Sequence, residues 1–161
     1  MTVLRRTQVG WEHRGTLGPT PSSTPLAVDG DTLILGNNTL QVWRRNTEGQ
    51  WSLAASTPAA SLGIGSATRA TLRGDWLLLP YQGWPHRLAV ARVESSGSLT
   101  PIQVVPAPHM LPWAFGTSVA TDGDWVAVSA RSSAGTDLGM AFYRRNRDGT
   151  LTLTQHETSA A

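Results

Sequence analysis

The sequence predicts an all-β chain, a β-propeller-type array of four-stranded antiparallel blades, and three observations predict it. A double-basic message recurs: Leu4-Arg5-Arg6-Thr7 leads through Gly10 to Trp11, Trp43-Arg44-Arg45-Asn46 through Gly49 to Trp51, and Tyr143-Arg144-Arg145-Asn146 through Gly149 to Leu151. Gly-Asp recurs at Gly30-Asp31, Gly74-Asp75 and Gly123-Asp124, so the aspartates lie 44 and 49 residues apart, a period typical of propeller blades. Each Gly-Asp opens an unbroken hydrophobic run: Thr32 to Leu35, Trp76 to Leu79, Trp125 to Val128. A strand with one wet face alternates apolar with polar; these runs do not, so both faces are expected to be buried between neighbouring sheets. A β-sandwich is the alternative architecture.

The elements follow in order. A hairpin over Thr2 to Arg14 stands as a half-blade within residues 1–18. The first full blade, 19–56, divides into Pro25 to Val28, Thr32 to Gly36, Leu40 to Arg45 and Gln50 to Ala54, rich in Leu, Val, Ile and Trp and separated by turn residues. Its third turn, Asn46-Thr47-Glu48-Gly49, puts glycine where a hairpin loop needs a positive φ. The second blade, 57–106, runs Ala70 to Leu72, Trp76 to Pro80, Leu88 to Val93 and Leu99 to Val104. The third, 107–161, runs Thr117 to Ala120, Trp125 to Ala130, Met140 to Arg145 and Thr150 to Gln155. No capped 3.6-residue apolar stripe is present, so essentially no helix is expected. Three and a half blades fall short of a closed ring, which takes roughly four to eight. Completion by additional blades or self-association is therefore expected, with the half-blade and the last blade at the contact.

Composition narrows the chemistry. With 161 residues, 40% hydrophobic and 15% charged, the chain suits about one folded domain rather than disorder. All 13 basic residues are arginine and the net charge is only +2, which does not call for a nucleic-acid surface. There is no cysteine, so neither disulfide nor thiolate chemistry is available. No stretch approaches the roughly 18 apolar residues of a membrane span, and Met1 to Gly10 encodes no signal peptide.

Phe115-Gly116-Thr117-Ser118-Val119-Ala120-Thr121-Asp122-Gly123-Asp124-Trp125-Val126-Ala127-Val128 resembles the opening strand pair of integrin-type FG-GAP repeats, and Met140 through Gly149 resembles their second hairpin. In the earlier units Ser22-Ser23 and Ser66-Ala67 stand where Phe-Gly would be. The resemblance implies an integrin-like propeller that binds protein or glycan, and an extracellular or cell-surface setting. Blades of that family often carry a calcium loop. Here the connection has contracted to Asp29-Gly30-Asp31, Arg73-Gly74-Asp75 and Asp122-Gly123-Asp124, well short of the roughly six to eight oxygens calcium prefers. No metal and no cofactor are expected.

Several short patterns have a structural reading beside a functional one. Arg73-Gly74-Asp75 spells the tripeptide integrins recognise in ligands, yet it occupies the turn that Asp-Gly-Asp fills in the sister units. Asn37-Asn38-Thr39 matches a glycosylation acceptor in a predicted turn. His13, His86, His109 and His156 lie too far apart in sequence to promise a zinc site. The paired arginines offer a basic stripe or merely solvated strand ends. No catalytic elbow, phosphate loop or paired carboxylate motif occurs, so a binding module is expected; a fragment of a propeller-type enzyme and a purely structural repeat segment are the alternatives.

The loops point to the site. In an up-and-down blade the first and third turns share one face of the ring, whereas the second turn and the blade-to-blade connection share the other. The second group is longer and irregular here: residues 81–87, 106–113 and 131–137. Aromatic residues and arginine on such loops are the usual anchors. Trp84, His86, Arg87, His109, Trp113 and Arg131 are the candidate binding residues. The competing reading packs Trp84 and Trp113 into inter-blade core.

Overall fold

The computed structural model describes residues 2–16, 24–81, 83–109, 111, 114–131 and 138–158, with backbone alone for 2–7, 11–16 and 131. Among these residues fourteen strands form one hairpin and three four-stranded antiparallel meanders. The hairpin pairs β1 (Thr2–Thr7) with β2 (Gly10–Thr16). The first blade is β3 (Thr24–Asp29), β4 (Thr32–Gly36), β5 (Thr39–Arg45) and β6 (Trp51–Pro58). The second is β7 (Thr71–Arg73), β8 (Trp76–Tyr81), β9 (Arg87–Val93) and β10 (Leu99–Pro106). The third is β11 (Val119–Asp122), β12 (Trp125–Arg131), β13 (Leu138–Arg145) and β14 (Leu151–Thr158). Among the described residues the only helical turn is a 3-10 turn at Ala59–Leu62. This is the blade-like, propeller-type array that the periodicity predicts, and the sheets do not close into a ring.

Contacts between first strands set the blades in radial order. β7 lies between β3 and β11. The Thr71 hydroxyl donates to the Val119 carbonyl at 3.2 Å, and the Gly74 amide donates to Asp29 Oδ2 at 2.6 Å. The Gly-Asp turns thus gather at one end of this inner row. At each, the aspartate carbonyl accepts the amide of the last residue of the third strand: Asp31 from Arg45 at 2.9 Å, Asp75 from Val93 at 2.7 Å, Asp124 from Arg145 at 2.6 Å.

The unbroken hydrophobic run of β8 is explained by two separate cores. In β8, Leu77 and Leu79 point into the core shared with the first blade, beside Ile34, Leu40 and Val42. Trp76 and Leu78 point the other way, into the core shared with the third blade, beside Val126, Val128 and Tyr143. Period-two side chains leave no water-facing side for such a strand, so no alternation is written. The short hydrophobic runs of the sandwich alternative would instead meet across a single interface.

Each fourth strand carries a β-bulge at the same place. Pairing skips Ala54 in β6, Ile102 in β10 and Thr154 in β14. The β1–β2 hairpin has the same register, Arg6 opposite Trp11, and skips Arg14 in the same way. Its two strands therefore correspond to the third and fourth strands of a blade.

Tyr143 carries a measurable consequence of burial. It is 2% exposed, its ring meets Phe115 edge-on at 6.4 Å, and its hydroxyl has no hydrogen-bond partner among the described residues. Burial pushes that hydroxyl above its ordinary range. The unfolded tyrosine ionises near pH ~10. Stability from the neutral phenol is therefore fully present below that value and is lost as pH rises beyond it. Thermal melts from pH 8 to 11 should show a falling midpoint above ~10 that is weaker in Tyr143→Phe. At neutral pH the same variant should gain about 1 kcal/mol, because it removes an unsatisfied buried hydroxyl.

Candidate functional site

The second turn of the middle blade, residues 82–86, is held between two strand ends. Tyr81 closes β8 and pairs in register with Arg87, which opens β9; the sequence had assigned both to the loop. Side chains directly opposite on a sheet face are neighbours, and here the Arg87 guanidinium lies 5.2 Å from the Tyr81 ring centroid, within cation–π range. A Cβ on Gly83 would come within 2.2 Å of the Tyr81 ring, and one on Gly65 within 3.0 Å of its hydroxyl. The absence of side chains at both glycines is what lets two loops close around the tyrosine.

Trp84 stands out from this base. It is 70% exposed, so the competing inter-blade-core reading does not describe it. Its indole meets the His86 imidazole edge-on, with centroids 6.0 Å apart and an interplanar angle of 87°. His86 Nδ1 and Arg87 Nε are buried without a partner among the described residues. The His86 carbonyl accepts the Ala107 amide at 3.1 Å, tying the next blade-to-blade connection to this loop. His109, on that connection, is exposed. Arg131 ends β12 opposite Leu138, while Trp113 lies outside the described residues. The structure thus brings together Trp84, His86 and Arg87, attaches the segment that carries His109, and adds Tyr81, whose only sequence signal was an aromatic at the start of an irregular loop.

Near this loop the three inner strands frame an open hollow of about 540 Å³, lined among others by Leu26, Arg69, Thr71, Pro80 and Val119. Arg69 donates to the Thr117 carbonyl, which spans two blades at the rim. Arg69 was not picked out by sequence reasoning, since nothing in Ala67-Thr68-Arg69-Ala70 marks the inner rim of a ring.

The opposite face presents a different chemistry. Around the Gly-Asp turns an open hollow of about 640 Å³ is lined by Asp29, Asp31, Arg44, Asp75, Arg92 and Glu94 among others. Its three aspartates face donors of the protein itself. Asp31 Oδ1 accepts Arg45 Nε at 2.7 Å and Nη2 at 2.5 Å, Asp75 pairs with Arg92 at 3.6 Å, and Asp29 accepts the Gly74 amide. Arg73-Gly74-Asp75 is here a tight turn with Gly74 at φ +61°. Among the described residues no three His, Cys, Asp or Glu side chains are grouped to hold a metal ion. On the third turn, hydrogen bonds from the Thr150 hydroxyl and amide hold the exposed Asp148 carboxyl below its usual range.

Fold and site together define a β-propeller-type array whose irregular loops present an aromatic and cationic cluster. A solved structure of a protein from Lactobacillus plantarum, a structural-genomics target, is similar to this chain: TM-score 0.62 at 19% identity, over 96% of this chain and 50% of that one. The likeness is one of fold, and this chain spans half the length of that protein. No protein-family model matches the sequence, and no curated protein matches it. No helix among the described residues is long and apolar enough to cross a membrane.

Proposed function

We propose that this chain is a non-enzymatic binding module of an integrin-like β-propeller, recognising a protein or glycan through its long-loop face. The observation that carries the reading is Trp84: a large indole 70% exposed, braced by His86 on a loop pinned between paired strand ends. An exposed indole has a strong apolar payload and a polar N–H, the combination that makes tryptophan an interface anchor. Arg87 held over Tyr81 supplies a charged neighbour whose orientation is already fixed, which lowers the ordering cost of binding. Sugar rings and protein side chains both suit such a surface.

The test is capture on a mixed glycan and peptide array followed by titration of the hits. Trp84→Ala should weaken a genuine ligand of this face by at least about ten-fold. Because Trp84 is mostly outside the core, the variant should keep the parent melting temperature. Ligands bound equally well by Trp84→Ala and His86→Ala would overturn the proposal.

A further inference from the structure

The contacts that join one blade to the next recur, and one set of them is left open. Where the third blade docks on the second, its third–fourth strand hairpin takes part in three hydrogen bonds across the outer half of the junction among the described residues. Trp76 Nε1 donates to the Gly149 carbonyl at 3.1 Å, with the Arg145 guanidinium 4.5 Å above the indole. Gln103 Oε1 accepts the Leu151 amide at 2.7 Å and its Nε2 donates to the Leu151 carbonyl at 3.3 Å. Gly149, at φ +88°, sits so close that a Cβ would lie 3.0 Å from Ile102. Between the first and second blades the same hairpin does the docking: Arg44 Nη2 donates to the Glu94 carbonyl at 2.8 Å, and a Cβ on Gly97 would lie 2.5 Å from Ala54.

The outer face of the third blade carries the same receiving kit. Trp125 follows Gly-Asp as Trp76 does and pairs with Arg144 as Trp76 pairs with Arg92. Thr154 is the bulged residue, as Ile102 is, and Gln155 follows it as Gln103 follows Ile102. Trp76 is 1% exposed; Trp125 is 52% exposed, and Met140 on the same face is 42% exposed. Gln155 is exposed and donates to Glu157 at 2.6 Å in place of a neighbouring hairpin. A contiguous apolar face of this kind marks an interaction site.

We infer that this face docks a second copy of the chain, seated through that copy's β1–β2 hairpin. The hairpin is a third–fourth strand pair by register and by bulge, so it holds the two strands that meet the outer half of the junction. Arg6 occupies the register position of Arg145, and Trp11 that of Leu151. The exchange is reciprocal. Two copies bring six four-stranded sheets and two hairpins, about eight sectors, within the range over which propellers close, so the pair is a closed two-fold dimer rather than an open filament.

Sedimentation velocity of the full chain across micromolar concentrations tests this. The expected species has twice the 17.2 kDa mass of one chain. Trp125→Ala, Gln155→Ala and Arg6→Ala should each weaken the pair by about ten-fold or more, whereas Val28→Ala, at an exposed position of an inner strand, should not. Far-UV spectra of the Trp125, Gln155 and Val28 variants should match the parent, since those three positions are exposed. A monomer throughout, a mass that climbs past the dimer, or a dimer indifferent to Trp125→Ala or to Arg6→Ala would overturn the inference.

Discussion

Trp76→Ala is expected to destabilise the chain by about 3–5 kcal/mol, the range for emptying a buried tryptophan site. The side chain is 1% exposed and sits in the core between the second and third blades. Its loss removes three things at once: apolar packing against Val126 and Tyr143, the indole hydrogen bond to Gly149, and the surface on which Arg145 rests. The Gly149 carbonyl would be left buried without that donor, and an unmet polar group adds to the cavity cost. Domains are stable by only about 5–15 kcal/mol, so this single change should consume much of the reserve. Urea denaturation, read as a shift of the midpoint at constant slope, checks it. Trp125→Ala provides the internal comparison. It changes the same residue type in the same Gly-Asp-Trp setting, yet at a concentration too low for association it should cost well under ~1 kcal/mol. Equal losses at the two sites would mean that the third blade is covered as fully as the second.

Gly116→Ala is expected to cost about 2–5 kcal/mol. Two independent penalties add. At φ +84° an L-residue loses roughly 1–2 kcal/mol relative to glycine. The new methyl would also lie 2.6 Å from Pro80 Cβ and 3.4 Å from Pro80 Cα, a clash with a stiff ring on the neighbouring blade rather than with a flexible chain end, for which overpacking costs of about 1–3 kcal/mol are typical. Gly123→Ala isolates the first term, because at φ +56° nothing lies within 4 Å of its added methyl. Its cost should be about 1–2 kcal/mol. If the two variants melt alike, Pro80 is yielding and the blades slide more easily than their packing implies.

Much of the fold was legible because the constraint repeats. Gly74 and Gly123 turn with a positive φ, β8 after the first is buried on both sides, and β12 after the second keeps the same run with Trp125 turned outward, so turn and run leave a mark in the sequence each time. Fourth-strand ends were less legible. β14 extends to Thr158 although its residues from Thr152 onward are exposed, since an outer strand is held by backbone pairing and tolerates polar side chains on both faces. The bulges at Ala54, Ile102 and Thr154 share no residue type, so register alone reveals them. At the site, the irregular loop was visible as an interruption between strands, but the exposure of Trp84 was not. Whether an indole packs inward depends on how far the neighbouring loops reach, and that distance is not written in local sequence. Tyr81 escaped notice for a related reason: its role comes from Gly65, sixteen positions earlier, leaving room for it.

The division of β8 between two cores has a further consequence for how the molecule comes apart. Leu77 and Leu79 belong to one interface, Trp76 and Leu78 to the other. Detaching the third blade exposes one of these interfaces and leaves the rest standing, whereas disrupting the second exposes both. Stability in such an array is a sum of nearest-neighbour terms, so the middle sheet acts as the hub of cooperativity and fluctuations enter from the last blade inward. Amide protons in β8 and β9 would then be released only by near-global opening, while those of β14 exchange through local fraying. A chain built this way can adjust its terminal sheet to a neighbour without loosening the strands that carry the Trp84 loop.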